Sequence, residues 1–177
     1  VGVEERYDLV RMAMRFAAEA HEGIGQVRKY TGEPYINHPA AVVELVGSVA
    51  HTPEMLAAAW LHDTVEDTPV TLQDIERTFG SIVAVMVEGL TDTSKPEDGN
   101  RAARKAIDRA RTANTSPEVK TIKLADLIDN SRSIFSHDRQ FAKVYLAEKL
   151  LLLEVLKEGD PFLYAMAESI AQEQSAM

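Results

Sequence analysis

The segment LHDTVEDTP at residues 61–69 places His62, Asp63, Glu66 and Asp67 within six residues. An imidazole and three carboxylates at that density are the side chains of divalent-metal binding and of proton transfer to and from water. The apolar run MLAAAWL (55–61) comes just before them, and Pro69 just after. Thr52-Pro53-Glu54 reads as a helix start: a capping hydroxyl, Pro at the first helical position and an acid in the first turn. The spacing predicts a helix over 53–66 with the four polar residues in its last turn. That end of a helix is already negative, so acids there work against the macrodipole. With no Lys or Arg nearby in sequence, the three carboxylates repel one another unless a cation joins them. A divalent metal is the simplest such cation. On a regular helix His62 stacks over Glu66 and Asp63 over Asp67. Two carboxylates are then left about 5 Å along the axis, where water or a substrate would sit. A solvated acidic helix end is the alternative.

A metal needs more than His62 and Asp63. KLADLIDN (123–130) puts Asp126 and Asn130 four apart on one face, amid Ile122, Leu124, Leu127 and Ile128. An acid in such an apolar setting is costly unless paired, so Asp126 reads as a ligand or as half of a structural salt bridge. Asp129 points off that face, toward solvent. His38, in Asn37-His38-Pro39, stands at a helix entrance where a side chain can project inward. Taken alone, its position favours a surface or capping role. His21, His51 and His137 lack acids of comparable density and read as structural or solvated, with His21 also a candidate to support the site indirectly.

The elements that must position these residues are helical. Residues 5–22 carry Leu9, Val10, Met12, Ala13, Phe16, Ala17 and Ala20 as a 3.6-residue stripe. Further helices are expected over 39–50, 53–66, from Thr71 to a stop at Gly80 with Asp74 closing a capping box, and over 81–91. TDTSKPEDGN (91–100) is the clearest loop. Helices over 101–113, 117 to about 135, 139–158 and 161–174 complete the set. No alternating strand of useful length appears. The expectation is an all-α, single-domain bundle of about eight or nine helices spanning 1–177.

A 177-residue chain that is 45% hydrophobic can build a real core. It has no cysteine, so disulfides and thiolate metal sites are excluded, and any metal must be held by His and carboxylate, which suits Mn, Fe, Zn or Mg. The net charge of −9 argues against general nucleic-acid binding, which needs a basic face. It leaves room for a small phosphorylated substrate. No apolar run approaches the ~20 residues of a membrane span. The expected protein is soluble and cytoplasmic, with no membrane or nucleic-acid partner.

Four segments, GQVRKYTGEPYINHP, AAAWLHDTVEDT, TLQDIERTFG and VKTIKLADLIDN, together resemble the HD-domain alarmone hydrolases. These are the hydrolase half of bacterial Rel/SpoT proteins and the stand-alone small alarmone hydrolases, including the metazoan type. The resemblance covers about residues 5–156, with the motifs in the family's order. It implies an HD-type helical bundle and one metal ion, usually Mn²⁺, held by residues matching His38, His62, Asp63 and Asp126. It also implies a catalytic pair at Glu66 and Asp67, and substrate contacts at Arg28, Lys29 and Asn130. The implied reaction is removal of the 3′-diphosphate from ppGpp or pppGpp as pyrophosphate, leaving GDP or GTP. Related readings are an HD phosphohydrolase preferring (p)ppApp or NADPH, and a non-catalytic nucleotide-sensing module. TGEPY carries one residue more than the usual pattern after Arg28-Lys29, and Leu127 stands where the family often has Lys. Lys95, Arg104, Lys105, Tyr145 and Lys149 are weaker candidates for substrate contact. The chain reads as a stand-alone hydrolase or the excised domain of a larger protein.

Overall fold

A computed structural model describes residues 3–176. Val1, Gly2 and Met177, at the ends of the expected 1–177 domain, lie outside the described residues. The described residues are almost entirely helical, with one isolated antiparallel bridge between Val27 and Pro34. The chain divides into two compact units, Val1–Thr91 and Asp92–Met177.

In the first unit, α1 (Val3–Gly23), α2 (Asn37–Gly47), α3 (Pro53–Leu61), the four-residue α4 (Thr64–Asp67), α5 (Leu72–Phe79) and α6 (Ser81–Leu90) follow one another. The centre is α3, which packs against α1, α2 and α6. Its Ala57, Ala58 and Ala59 are fully buried, because a helix apolar nearly all round must be covered on every side. It begins as expected: Thr52 accepts a hydrogen bond from the Met55 amide and Pro53 occupies the first turn. The expected capping box is present at α5, where Thr71 and Asp74 satisfy each other's backbone amides, and Gly80 ends that helix. Phe16 of α1 meets Phe79 edge-on, with ring centroids 5.3 Å apart.

Two boundaries differ from expectation here. The second helix runs 37–47 rather than 39–50, so His38 and Pro39 lie within its first turn, where a missing proline N–H costs nothing. The helix expected over 53–66 stops at Leu61 and resumes as α4. The cause is local: Nδ1–H of His62 donates to the Ala59 carbonyl (2.8 Å) and the Thr64 hydroxyl to the Leu61 carbonyl (2.7 Å). Side chains here compete with backbone amides for the helix's last carbonyls.

In the second unit, a 3₁₀ turn (Pro96–Asp98) leads into α7 (Arg101–Ala113), α8 (Pro117–His137), α9 (Arg139–Leu153) and α10 (Pro161–Ser175). Helices α8, α9 and α10 pack against one another pairwise. The loop expected over 91–100 is anchored: Asp108 of α7 accepts from the Thr93 amide (3.1 Å), the Ser94 amide (3.0 Å) and the Ser94 hydroxyl (2.7 Å). Helix α9 ends at Leu153 rather than 158, where i→i+3 bonds tighten the chain around the buried Leu156. Beyond it, Gly159 lies against the backbone of α8. A Cβ there would fall 2.8 Å from Leu124 Cδ1 and 3.1 Å from the Lys120 carbonyl carbon. The adjoining Asp160 amide donates to the Thr121 hydroxyl at 2.9 Å, pinning this turn to the helix that carries Asp126.

Candidate metal centre and its acidic neighbours

The break between α3 and α4 sets the orientation of His62. Because Nδ1 gives its proton to a carbonyl, Nε2 is left with its lone pair directed outward, the tautomer a metal ligand needs. Facing it is Nε2 of His38, from the first turn of α2, at 3.3 Å. Oδ2 of Asp63 lies 3.0 Å from the His62 nitrogen and 3.6 Å from that of His38. Both imidazoles are buried, and the Asp63 side chain is 21% exposed. Adjacent donors on an ion held at about 2.1 Å sit roughly 3 Å apart. Two imidazole nitrogens and a carboxylate oxygen at these separations therefore fit a divalent cation.

Asp63 is fixed from outside its own helix. Tyr35 donates its hydroxyl hydrogen to Asp63 Oδ2 at 2.5 Å. Tyr35 ends a short hairpin whose Val27–Pro34 bridge is closed by Arg28 N–H to the Glu33 carbonyl (2.8 Å) and Tyr35 N–H to the Gln26 carbonyl (3.2 Å). On the opposite strand, across from Tyr35, Gln26 donates to Asp67 Oδ2 at 2.8 Å. Two residues of one hairpin thus hold two acids of the 61–69 segment. Sequence reasoning missed both Gln26 and Tyr35. The available signal was their position, flanking the turn that carries Arg28 and Lys29.

Glu66 and Asp67 are exposed, about one turn beyond His62 in sequence. The expected stacking of Asp63 and Asp67 is retained in α4, where the Asp67 amide donates to the Asp63 carbonyl at 2.9 Å. His62 does not share a continuous helix with Glu66, since it caps α3 while Glu66 belongs to α4. Arg28 is half-buried and Lys29 exposed, its ammonium 5.0 Å from the Tyr30 ring centroid.

In the second unit, Asp126 is buried on α8. Asn130 donates to its Oδ1 at 2.6 Å, and the Lys123 ammonium lies 3.2 Å from its Oδ2. The face shared by Asp126 and Asn130 is as expected, and the salt-bridge reading of Asp126 is realised through Lys123. Burial, and then the nearby Asp126 charge, hold the Tyr145 phenol well above its ordinary range. Lys149 is buried with no hydrogen-bond partner for its amine among the described residues, and burial, then Arg132, pull it down to about 8. Lys105 is bound by Asp92 at 2.8 Å, and Lys95 lies exposed before the 3₁₀ turn. His38, His62 and Asp126 are thus buried side chains whose donor atoms suit a divalent metal. Among the described residues, no helix is long and apolar enough to cross a membrane.

The HD domain family matches residues 13–159, a stretch that runs through both units. The chain is 40% identical over 136 residues to the bifunctional (p)ppGpp synthase/hydrolase SpoT of Escherichia coli, covering 75% of this chain and 19% of that protein. It is 37% identical over 124 residues to the guanosine-3′,5′-bis(diphosphate) 3′-pyrophosphohydrolase of Danio rerio, covering 68% of this chain and 66% of that one. The chain therefore spans a fifth or less of the long bacterial relative and about two thirds of the fish one. Among solved structures, a metazoan ortholog of SpoT that hydrolyses ppGpp superposes with a TM-score of 0.85 at 26% identity, over 96% of this chain and 97% of that one.

Proposed function

Since the chain belongs to the HD-domain family, we propose that it is a metal-dependent 3′-pyrophosphohydrolase of guanosine alarmones. It converts ppGpp or pppGpp and water to GDP or GTP and pyrophosphate; its relatives are named as guanosine-3′,5′-bis(diphosphate) 3′-pyrophosphohydrolases, and the metazoan SpoT ortholog as hydrolysing ppGpp. The observation that carries this reading is the grouping of His38, His62 and Asp63 donors immediately before the exposed pair Glu66 and Asp67. A binding module would need the donors but not the two further acids.

In this reading Asp126 of α8 completes the ligand set, one HD domain spans both units, and the native ion is Mn²⁺. When bound, such an ion lowers the pKa of water and polarises a phosphoryl oxygen. The remaining work falls to the protein. Glu66 accepts a proton from the attacking water as its oxygen bonds to the phosphorus attached at O3′. The bond from that phosphorus to O3′ breaks, and O3′ takes up a proton as pyrophosphate leaves. Asp67 holds the water network in place or assists that protonation, and the two acids are interchangeable in this scheme. Asn130 hydrogen-bonds the ribose or the 3′-phosphate. Arg28 lays its planar guanidinium on the base and Lys29 neutralises phosphate. The site works on a free nucleotide in the cytoplasm.

Incubating Mn²⁺-loaded protein with ppGpp, ppApp and NADPH, and following pyrophosphate and phosphate release, tests the proposal. Pyrophosphate release fastest from ppGpp supports it. Faster turnover of ppApp or NADPH reassigns the substrate, and alarmone binding without turnover replaces the enzyme with a sensor.

A further inference from the structure

Helix α1 ends in a way that carries a side chain back over its own last turn. Gly25 adopts φ +64°, the left-handed conformation that glycine tolerates without a Cβ penalty. The Gly25 amide donates to the Glu22 carbonyl (2.9 Å) and the Gln26 amide to the His21 carbonyl (3.0 Å). This pair of bonds is a Schellman motif, with Gly25 just past the cap and Gln26 following it. The geometry sets the Gln26 side chain beside His21, and His21 Nδ1 lies 2.7 Å from Gln26 Oε1.

The direction of each hydrogen bond follows from chemistry. The Asp67 carboxylate accepts and does not donate, so the group 2.8 Å from its Oδ2 is the Gln26 amide nitrogen. Gln26 Oε1 then faces His21 as an acceptor, and His21 must carry a proton on Nδ1. His21 is buried, and its ring lies 4.8 Å, centroid to centroid, from that of Tyr35, the residue that holds Asp63. An imidazole packed this way cannot swing aside, so Gln26 keeps one orientation. Asp67 is exposed and has no such packing of its own.

We infer that Gln26 is a positioning residue for Asp67, locked by His21 and delivered by the Gly25 turn. This rests on the role given to Asp67 above. Gln26 keeps one Asp67 oxygen occupied and the carboxylate plane fixed, leaving the other oxygen for the water network. Its effect should therefore fall on turnover, be transmitted through Asp67, and leave metal uptake alone.

The test combines Q26L and the isosteric Q26E, each in wild-type and D67N backgrounds, in full-length Mn²⁺-loaded protein. Q26L is expected to lower kcat for pyrophosphate release from ppGpp about 10-fold, the lower end of what disturbing a supporting residue costs, with KM and bound Mn²⁺ unchanged. Q26E, with its like charge against Asp67, is expected to lower kcat further. In D67N, adding Q26L should change kcat less than twofold. A Q26L enzyme with wild-type kcat, or an equal loss in both backgrounds, overturns the inference. An independent readout needs no substrate: the side-chain amide of Gln26, observed by ¹⁵N NMR, should shift in D67N and in H21F. An amide resonance indifferent to both changes overturns the inference whatever the substrate proves to be. Absence of ppGpp turnover by wild-type protein, with the amide shifts present, instead removes only the reading of the reaction.

Discussion

The two units hold their chemically important aspartates by different means. In the second, Asp126 is held by its own helix: Lys123 and Asn130, one turn to either side, both reach its oxygens. In the first, Asp63 and Asp67 are held by Tyr35 and Gln26, whose side chains come 28 and 41 residues back along the chain from a hairpin. The helical arrangement is stiff and local, so its partners follow from spacing alone. The hairpin arrangement fixes two acids at once and depends on one loop keeping its shape. It is the arrangement expected where carboxylates need a set direction, since the orientation of a ligating group is governed by what hydrogen-bonds it.

The largest effect should come from the acid assigned to the attacking water. Glu66→Ala is expected to lower kcat on ppGpp at least ~10²-fold, the typical worth of acid–base assistance, while bound Mn²⁺ measured by elemental analysis stays unchanged. Next comes the direct comparison of the two holding modes. Tyr35→Phe should weaken Mn²⁺ binding ~10-fold or more, as loss of a ligand's hydrogen-bond partner does. Lys123→Met, which removes an i,i+3 neighbour of Asp126, should change it only about twofold. Equal losses in a calorimetric titration would erase the distinction.

A stability effect follows for the second unit. Gly159→Ala puts a methyl group against Leu124 and the α8 backbone, contacts too close to relax without backbone movement. It should lower unfolding free energy by about 1–3 kcal/mol in urea denaturation. The smallest effect concerns the anchored loop. Burial alone would raise the Asp108 carboxyl, but bonds from Ser94 and Thr93, with Lys105 nearby, outweigh it and hold the group below the usual aspartate range. A depressed folded-state pKa stabilises the protein above the unfolded value and loses that contribution as pH falls through the folded one. The stability advantage of wild type over Asp108→Asn should therefore be full at neutral pH and shrink in acid, below about pH 4, as read by thermal melts across pH.

Much of this architecture is legible in the sequence where the cause is local. Thr52-Pro53 and Thr71 with Asp74 declare their helix starts because each cap is satisfied within three residues. Asp126 and Asn130 share a face because four residues is just over one helical turn. The helix break after Leu61 escapes the same reasoning, since His62 and Thr64 fit a helical pattern and interrupt it only by bonding to carbonyls behind them. The end of α9 escapes it too, because LLLEVLKEG stays apolar past the point where the chain tightens. The roles of Gln26 and Tyr35 depend on a hairpin, and no periodicity reports what its stem touches. The HD-type fold itself was carried by the four motifs together.

The alanines at 57, 58 and 59 have a consequence for how this protein can change. They have no atoms beyond Cβ to trim, and all three are fully buried on a helix packed against α1, α2 and α6, so a bulkier substitute would overpack the core. Helix α3 is therefore a fixed rail, and His62 is delivered at its tip to a height the rail dictates. Change in this half of the molecule enters more readily at exposed positions of the turn between α1 and α2, with Gly25 and Gly32 excepted because both hold a positive φ.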